Sequence, residues 1–392
     1  MTRRRTAGPE AAPPSTPSAA DRSDVVSKAW LRTRRLLVIR ADNIGDVVMT
    51  GPALRAIRRA LPDATLTLLA SPAGAQAAPL LPWLDDVICR RVLWQDLGRL
   101  DFDPSRERGL IEELRGRAFD GALILTSFSQ SPHPAAFVAW LAGIPLRAGA
   151  SRERSALLTH QTPFGPFERH QAERNLALVA ALGFPADDGA LELRVPDDAS
   201  RAVQGKLAAR GLRAEPYVLW NPWASAAART YDPALGAEAA RAIAEATDMR
   251  VVISAHERDA EHSGRLAARI GHRAIDLGGH TTVPELAALV ARASIVLTSH
   301  TSVMHLADAL RVPVVVPFSG TDLVSQWSPR HGPHVVLNEP TDCTPCYAFE
   351  CPRGHECLPF TPQEVARAAL ALLERSDAGV MSTPARLEDI HA

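Results

Sequence analysis

Short unbroken apolar runs alternate along this chain with longer stretches whose apolar residues recur at helical spacing. The runs 36–39 (LLVI), 65–70 (TLTLLA) and 121–126 (GALILT) predict strands buried on both faces, and 83–88 leads into another. Helical spacing predicts helices over 47–60, 110–117, 135–142 and 169–182, the last two ended by Gly143 and Gly183. After Pro196-Asp197-Asp198, a helix start, the alternation begins again. Strands are expected at 217–220, 250–254, 274–277, 294–298 and 312–317, and helices at 199–210, 236–247, 261–270, 284–293, 303–310 and 362–375. Such alternation predicts an α/β protein with two doubly wound parallel sheets, one per lobe, facing a cleft. The expected division is a tail over residues 1–33, a first lobe over 34–195, a second over 196–361, and a closing helix with a flexible end over 362–392.

Composition narrows the classes. The chain has 392 residues, enough for about two domains at the usual ~150 residues each. A hydrophobic share of 46% is enough to fill sizeable cores. A net charge of −1 argues against a general nucleic-acid binder. No apolar run approaches the ~18–20 residues needed to span a bilayer. Residues 1–27 are rich in Pro, Ala, Ser and Arg without apolar periodicity, which predicts a disordered tail. That tail opens with Arg3, Arg4 and Arg5 but has no apolar core, so it is not a secretory signal. A cytoplasmic protein, with peripheral membrane contact at most, is the expected setting.

The richest chemistry lies in the turn after the first strand. Arg40-Ala41-Asp42-Asn43-Ile44-Gly45-Asp46 places two carboxylates, an amide and a glycine at the carboxyl end of a strand, where ligands collect in open α/β sheets. Gly45 permits close backbone approach. Asp46 fits either an ordinary helix N-cap or a general base at the head of a cleft.

A second turn, Thr298-Ser299-His300-Thr301-Ser302, leads into the helix that carries His305. Its hydroxyls and the free amides of the first helical turn suit a phosphate. Against that stand plain readings of Ser302 as an N-cap and His305 as a satisfied helix histidine. A third exit, Trp220-Asn221-Pro222-Trp223-Ala224-Ser225, is followed by Arg229, which suits a diphosphate as well as it suits a solvated loop. Gly278-Gly279-His280-Thr281-Thr282 is a further small-residue turn. Of five cysteines, Cys343, Cys346, Cys351 and Cys357 fall within one segment of 15 residues, 343–357. Their spacing is open to structural zinc, an iron–sulfur cluster, a disulfide or reduced packing thiols.

Together these segments resemble glycosyltransferase family 9, the ADP-heptose:lipopolysaccharide heptosyltransferase group. The likeness rests on NIGDVVMTGPALRAIR, NPWAS…ART and DLGGHTTVPELAALVARASIVLTSHTSVMHLADALRVPVVV, and covers nearly all of 34–373 in order. The resemblance implies a GT-B fold with two Rossmann-like lobes, the acceptor bound mainly by the first and the nucleotide-sugar by the second. It implies Asp46 as the base, with Asp42, Asn43 and Gly45 in the acceptor-side turn. Ala224 and Ser225 would lie at the donor diphosphate, Arg229 at the family's basic position, Glu257 on the ribose and Thr281 near the adenine. Thr301, Ser302 and His305 match its D-[ST]-G-x-x-H turn, with His300 standing in place of the aspartate. Ser302 replaces the glycine of that turn, Trp223 a frequent glycine, and His280 a lysine or arginine.

The implied reaction needs no metal or other cofactor. A heptose or related sugar passes from a nucleoside diphosphate, ADP-heptose by resemblance, to a glycan or glycolipid hydroxyl with inversion. The alternatives are a protein that only binds nucleotide-sugars and a transferase with a UDP or GDP donor. An epimerase would need paired carboxylates facing the sugar. A dinucleotide dehydrogenase lacks support, because no G-x-G-x-x-G follows the first strand.

Overall fold

The computed structural model describes residues 27–96, 98–127 and 130–377. Residues 1–26 and 378–392, on which most of the expected tail and the flexible end fall, lie outside the described residues.

The first sheet comprises β1 (Arg35–Arg40), β2 (Thr65–Ala70), β3 (Asp86–Cys89), β4 (Gly121–Ile124), β5 (Leu146–Ala150) and β6 (His160–Thr162). The second comprises β7 (Tyr217–Asn221), β8 (Arg250–Ile253), β9 (Ala274–Asp276), β10 (Ile295–Thr298), β11 (Val314–Phe318) and β12 (His334–Asn338). The strand orders are β3-β2-β1-β4-β5-β6 and β12-β11-β10-β7-β8-β9. Every strand pair in both sheets is parallel. Counted within its own half, each sheet has the order 3-2-1-4-5-6, the Rossmann arrangement. Its reversal of strand order falls between β1 and β4 in one sheet and between β7 and β10 in the other.

The expected strands are present to within a residue or two, and three were missed: β5, β6 and β12. β5 is LRAGA and β6 is HQT, neither of which forms an apolar run, and β6 is an edge strand whose residues are only half-buried. β12 (HVVLN) is also an edge strand.

Most helices begin one to six residues earlier than apolar spacing predicts, whereas the one expected over 169–182 is Gln171–Ala181. Capping residues and prolines define their starts, as in Pro104–Gly116 (Asp103 cap) and Pro233–Thr247 (Asp232 cap). The larger correction concerns 47–60, expected as one helix. It is two: α1 (Ile44–Val48) and α2 (Gly51–Ala60), separated by Met49 and Thr50, with Pro52 in the first turn of α2. Asp46 is therefore not an N-cap. Asn43 holds that position, and Asp46 lies three residues on, its Oδ2 accepting the Asn43 N–H at 3.2 Å.

The packed chain also begins before Arg34. Trp30 is fully buried, and its indole lies where a Cβ on Gly121 would be 2.8 Å away, so β4 can pass beneath it only with glycine there. One buried apolar cluster joins the two halves. It runs from Trp30, Leu36 and Leu54 through Val47 to Val303, Met304 and Leu306 of α10 (Ser302–Leu310). The opposite face of the second sheet has its own core, where Trp220, Ile243 and Leu266 pack with Val365 and Leu372 of the closing helix (Pro362–Asp377). Among the described residues no helix is long and apolar enough to cross a membrane.

If Trp30 anchors the first lobe, Trp30→Ala should lower the unfolding free energy in urea by about 3–5 kcal/mol. A change within error would mean that the lobe is complete without residues 27–33.

Candidate active site

The site is assembled where α1 meets α10. An added Cβ on Gly45 would lie 2.8 Å from His305 Cδ2 and 3.4 Å from Ser302 Cα. Only glycine lets the backbone of α1 come this close to the first turn of α10, so Gly45 fixes the approach of the two lobes. The acceptor-side turn expected from sequence and the His300–His305 turn are thereby brought together.

On the first lobe, sequence reasoning missed the organising residue. Arg40 is fully buried at the end of β1. Its Nη2 donates to Asp46 Oδ1 at 2.7 Å and to Ser127 Oγ at 2.8 Å, while its Nε lies 3.0 Å from Asp42 Oδ2. Burial opposes its charge, but the two carboxylates outweigh burial and raise its pKa above the ordinary value. Asp42 is more deeply buried. Desolvation pushes its pKa up, partly offset by Arg40 and by hydrogen bonds from Gln130 and Gln95 Nε2 at 2.6 and 2.7 Å. Both carboxylates are held on both oxygens, Asp46 by Arg40 and the Asn43 N–H, and Asp46 is the more exposed of the two.

On the second lobe, Thr301 rather than Ser302 is the N-cap of α10, its Oγ1 accepting the Val303 N–H at 3.1 Å. Thr301 also bonds Thr298 through their hydroxyls at 3.1 Å. Ser302 is left as the first helical residue, against the Gly45 backbone. Ser299 accepts the Tyr231 N–H at 3.0 Å and so ties this turn to the loop after β7. His300 and His305 are both buried and carry Nδ1 atoms with no hydrogen-bond partner. Burial drives both histidines toward the neutral form, helped in each case by the nearby Arg229 charge. His305 is lowered to about 4 even though Asp46 and Asp308 pull the other way.

Arg229 ends a single helical turn after β7, and its Nη2 lies 2.9 Å from Asp322 Oδ2. Asp322, also missed from sequence, follows β11 and is 3% exposed. Ala224 is buried, with its N–H donated to Thr230 Oγ1, and Ser225 is exposed. Glu257 is exposed at the end of the loop after β8, and its Cα lies 3.2 Å from where a Cβ on Gly279 would fall. Gly279 has φ +74°, a backbone that favours glycine, and leads to the half-buried Thr281. Glu257 and Thr281 thus share one corner of the sheet edge. A cavity of about 760 Å³ opens against the loop after β7. It is lined by Ala224, Ser225, Arg99, Arg258 and Phe349, among others, and of the expected donor residues it includes only Ala224 and Ser225.

All five cysteines are free thiols, and among the described residues no three His, Cys, Asp or Glu side chains group to hold a metal. Cys343 bonds Thr341 and Cys351 accepts the His355 N–H, both at 3.3 Å. Cys346 is exposed and Cys357 buried. Their segment braces the loops after β7 and β11. Ala228 N donates to Phe349 O, His355 Nε2 meets Ala227 O, and Tyr347 N donates to Thr321 O beside Asp322.

The lowered pKa of His305 has a stability consequence. Its folded value of about 4 lies below the ordinary 6.5, so the unfolded chain binds more protons between these values. Stability is fully present above pH 6.5 and is lost as pH falls through 6.5 toward 4. His305→Gln should flatten that decline in urea unfolding, by an amount on the order of 3 kcal/mol. An unchanged pH slope would contradict a buried, neutral His305.

Known proteins share this fold. Among solved structures, a glycosyl transferase family 9 protein from Veillonella parvula superposes with a TM-score of 0.71 at 19% identity, covering 87% of this chain and 97% of that one. The E. coli ADP-heptose lps heptosyltransferase II superposes with a TM-score of 0.69 at 22% identity, covering 88% and 99%. E. coli heptosyltransferase WaaC with ADP-2-deoxy-2-fluoro heptose gives 0.61 at 17%, covering 78% and 93%. These likenesses establish the GT-B fold of two Rossmann-like halves. A Haemophilus influenzae protein whose name assigns it provisionally to the glycosyltransferases is 29% identical over 148 residues, which is 37% of this chain and 39% of that relative's length. The family model for glycosyltransferase family 9 (heptosyltransferase) matches residues 108–356, from the first lobe through the cysteine segment, while the Asp46 turn precedes that span. The chain belongs to glycosyltransferase family 9.

Proposed function

We propose that the protein transfers a heptose or a related sugar from a nucleoside diphosphate, ADP-heptose in the first instance, to a hydroxyl of a glycan or glycolipid, with inversion. The observation that carries this reading is the contact of Gly45, the residue before Asp46, with Ser302 and His305 of α10. The acceptor hydroxyl attacks the anomeric carbon while the bond to the diphosphate oxygen breaks. The hydroxyl proton passes to Asp46, whose Oδ1 is held by Arg40, so the carboxylate needs no reorientation as the reaction proceeds. Charge developing on the departing diphosphate is met by Arg229 and by the amides and positive dipole end of α10.

Inversion is part of this reading: Asp42 is held by Arg40, Gln95 and Gln130, and Asp322 by Arg229 and Thr321, so neither is offered as a covalent nucleophile. The two lobes shield the reacting atoms from water that would hydrolyse the donor. Ala224 and Ser225 lie at the diphosphate, and Glu257 and Thr281 at the ribose and base. In this reading Asp42, Asn43 and Gly45 shape the acceptor side. The protein works in the cytoplasm, and contact with a lipid-linked acceptor is peripheral.

A protein that binds a nucleotide-sugar without turning it over is the second reading, favoured by histidine at position 300. Asp46→Asn separates the two. Turnover of ADP-heptose should fall by roughly 10²–10⁴-fold while ADP affinity holds within a few-fold. Equal turnover by the variant and the parent protein would exclude Asp46 as the base. Nucleotide binding without turnover in the parent protein, across a panel of saccharide acceptors, would favour the binding protein.

A further inference from the structure

The helix His133–Leu141 inverts the usual arrangement of a surface helix. Its small residues Ala135, Ala136 and Ala139 pack on the first sheet, while Phe137 and Trp140 point outward at 47% and 52% exposure. The two rings stack with centroids 6.1 Å apart and planes at 22°, and the exposed Pro134 continues the stripe one turn earlier. Residues 130–146 contain no Asp, Glu, Lys or Arg, in a chain of which 22% is charged. The core beneath the helix is made only of first-lobe residues, so this face is turned away from the second lobe. A helix apolar on every side is ordinarily covered, and an exposed apolar stripe rimmed by charge marks a contact surface.

Both flanks of the stripe carry cations. On one side Arg115 donates to the Leu141 carbonyl at 2.8 Å, and Arg108 lies two turns before it on the helix Pro104–Gly116. On the other side Ser151 Oγ meets His133 Nε2 at 3.2 Å, which holds the loop of Arg152 and Arg154 beside the helix start. All four arginines are exposed, and among the described residues none is paired with a carboxylate. Elsewhere on this lobe Arg90, Arg91, Arg106 and Arg117 are each paired, with Glu113, Asp96, Glu107 and Asp86. The flanking segments also expose Glu112 and Glu153, which leaves the cations in excess.

A second copy of the chain fits this surface poorly. A stable interface takes ~800 Å² from each partner, whereas two aromatic side chains of roughly 150–250 Å² each, already half covered, offer about 200 Å². A bilayer sets no such threshold, because single aromatic side chains lodge in its interface while cations meet anionic headgroups. The position also brings the acceptor side to that bilayer. Ser127 Oγ accepts from Arg40 at 2.8 Å and Gln130 Nε2 donates to Asp42 Oδ1 at 2.6 Å, so the segment that enters the helix holds the acceptor-side turn. The helix starts at the rim of the crevice.

We propose that the helix His133–Leu141 docks the first lobe on an anionic bilayer, with Phe137 and Trp140 entering the interface and the flanking arginines on the headgroups. That the acceptor is presented from that bilayer rests on the transferase reading above; the docking itself does not.

The test is co-sedimentation of the full chain with phosphatidylcholine vesicles, with and without about 30% phosphatidylglycerol. The parent protein should partition to the anionic vesicles, and added salt should weaken that partitioning. Phe137→Ser combined with Trp140→Ser should weaken it by roughly tenfold or more, while circular dichroism and ADP affinity match the parent. Arg108→Gln combined with Arg154→Gln should weaken it by about tenfold. No partitioning of the parent protein overturns the proposal. Equal partitioning of the double serine variant overturns it too, and assigns membrane contact to another part of the chain such as Arg3, Arg4 and Arg5. A parent protein that sediments as a dimer in vesicle-free buffer, with a monomeric serine variant, would give the face to a second copy instead. Vesicle binding without any nucleotide binding would keep the docking and remove the transferase reading.

Discussion

The close contact of Gly45 with the ring of His305 is the constraint from which the rest of the site follows. A methyl group at position 45 would sit 2.8 Å from that ring, well inside contact distance, so any other residue would push α1 away from α10. Because β1 leads directly into the turn that bears Asp42 and Asp46, and β10 into the turn that bears His300, the separation of two chemically distinct turns is set by backbone packing. A shared apolar cluster through Val47, Val303 and Met304 supports this contact from behind. Packing of that kind is stiff, and the polar groups at its edge inherit its precision.

Topology explains why the polar groups gather there. Each sheet reverses its strand order once, between β1 and β4 and between β7 and β10, and a crevice opens outside the carboxyl ends of strands at such a point. Asp46 follows β1, the Ala224–Arg229 loop follows β7, and the His300 turn follows β10. Two switch points facing each other bring the carboxylate turn of one lobe to the hydroxyl-rich turn of the other. Buried ion pairs complete each side: Arg40 between Asp42 and Asp46, and Arg229 with Asp322. Such pairs contribute little net stability against an apolar alternative, and their use here is to fix the direction of a charge.

Much of this was legible in the sequence, and the physical reason is locality. Apolar runs of a buried parallel sheet stand out without context, as do small and polar residues at strand exits, so β1, β2, β7, β10 and their turns were found close to their true places. Asp46 reads as a possible cap because apolar spacing starts the helix at Val47. The break at Met49–Thr50 and the earlier start at Asn43 depend on turn geometry that apolar spacing does not report. Thr301 and Ser302 exchanged roles for the same reason, since either hydroxyl could cap. Edge strands β6 and β12 escaped because one flank lacks a neighbour and their burial is incomplete. Asp322, Gln95 and Gln130 were missed because their partners Arg229 and Asp42 are distant in sequence, and Arg40 because an arginine ending an apolar strand does not reveal that it is buried between the carboxylates of the next turn. The cysteine spacing leaves a metal, a disulfide and reduced thiols open; in the structure Cys343 and Cys351 bond local groups and the segment's backbone holds the loop after β7.

The most direct test of the donor site is a thermal-shift series on the purified full chain with ADP, UDP, GDP, CMP, NAD and ADP-heptose. A ligand held at a hundred times its dissociation constant adds about 2.7 kcal/mol to the stability of the folded state, enough to move the midpoint by several degrees. A selective rise with ADP, and a larger one with ADP-heptose, is the predicted result. A flat response to every nucleotide would contradict a donor site built from Arg229 and the start of α10.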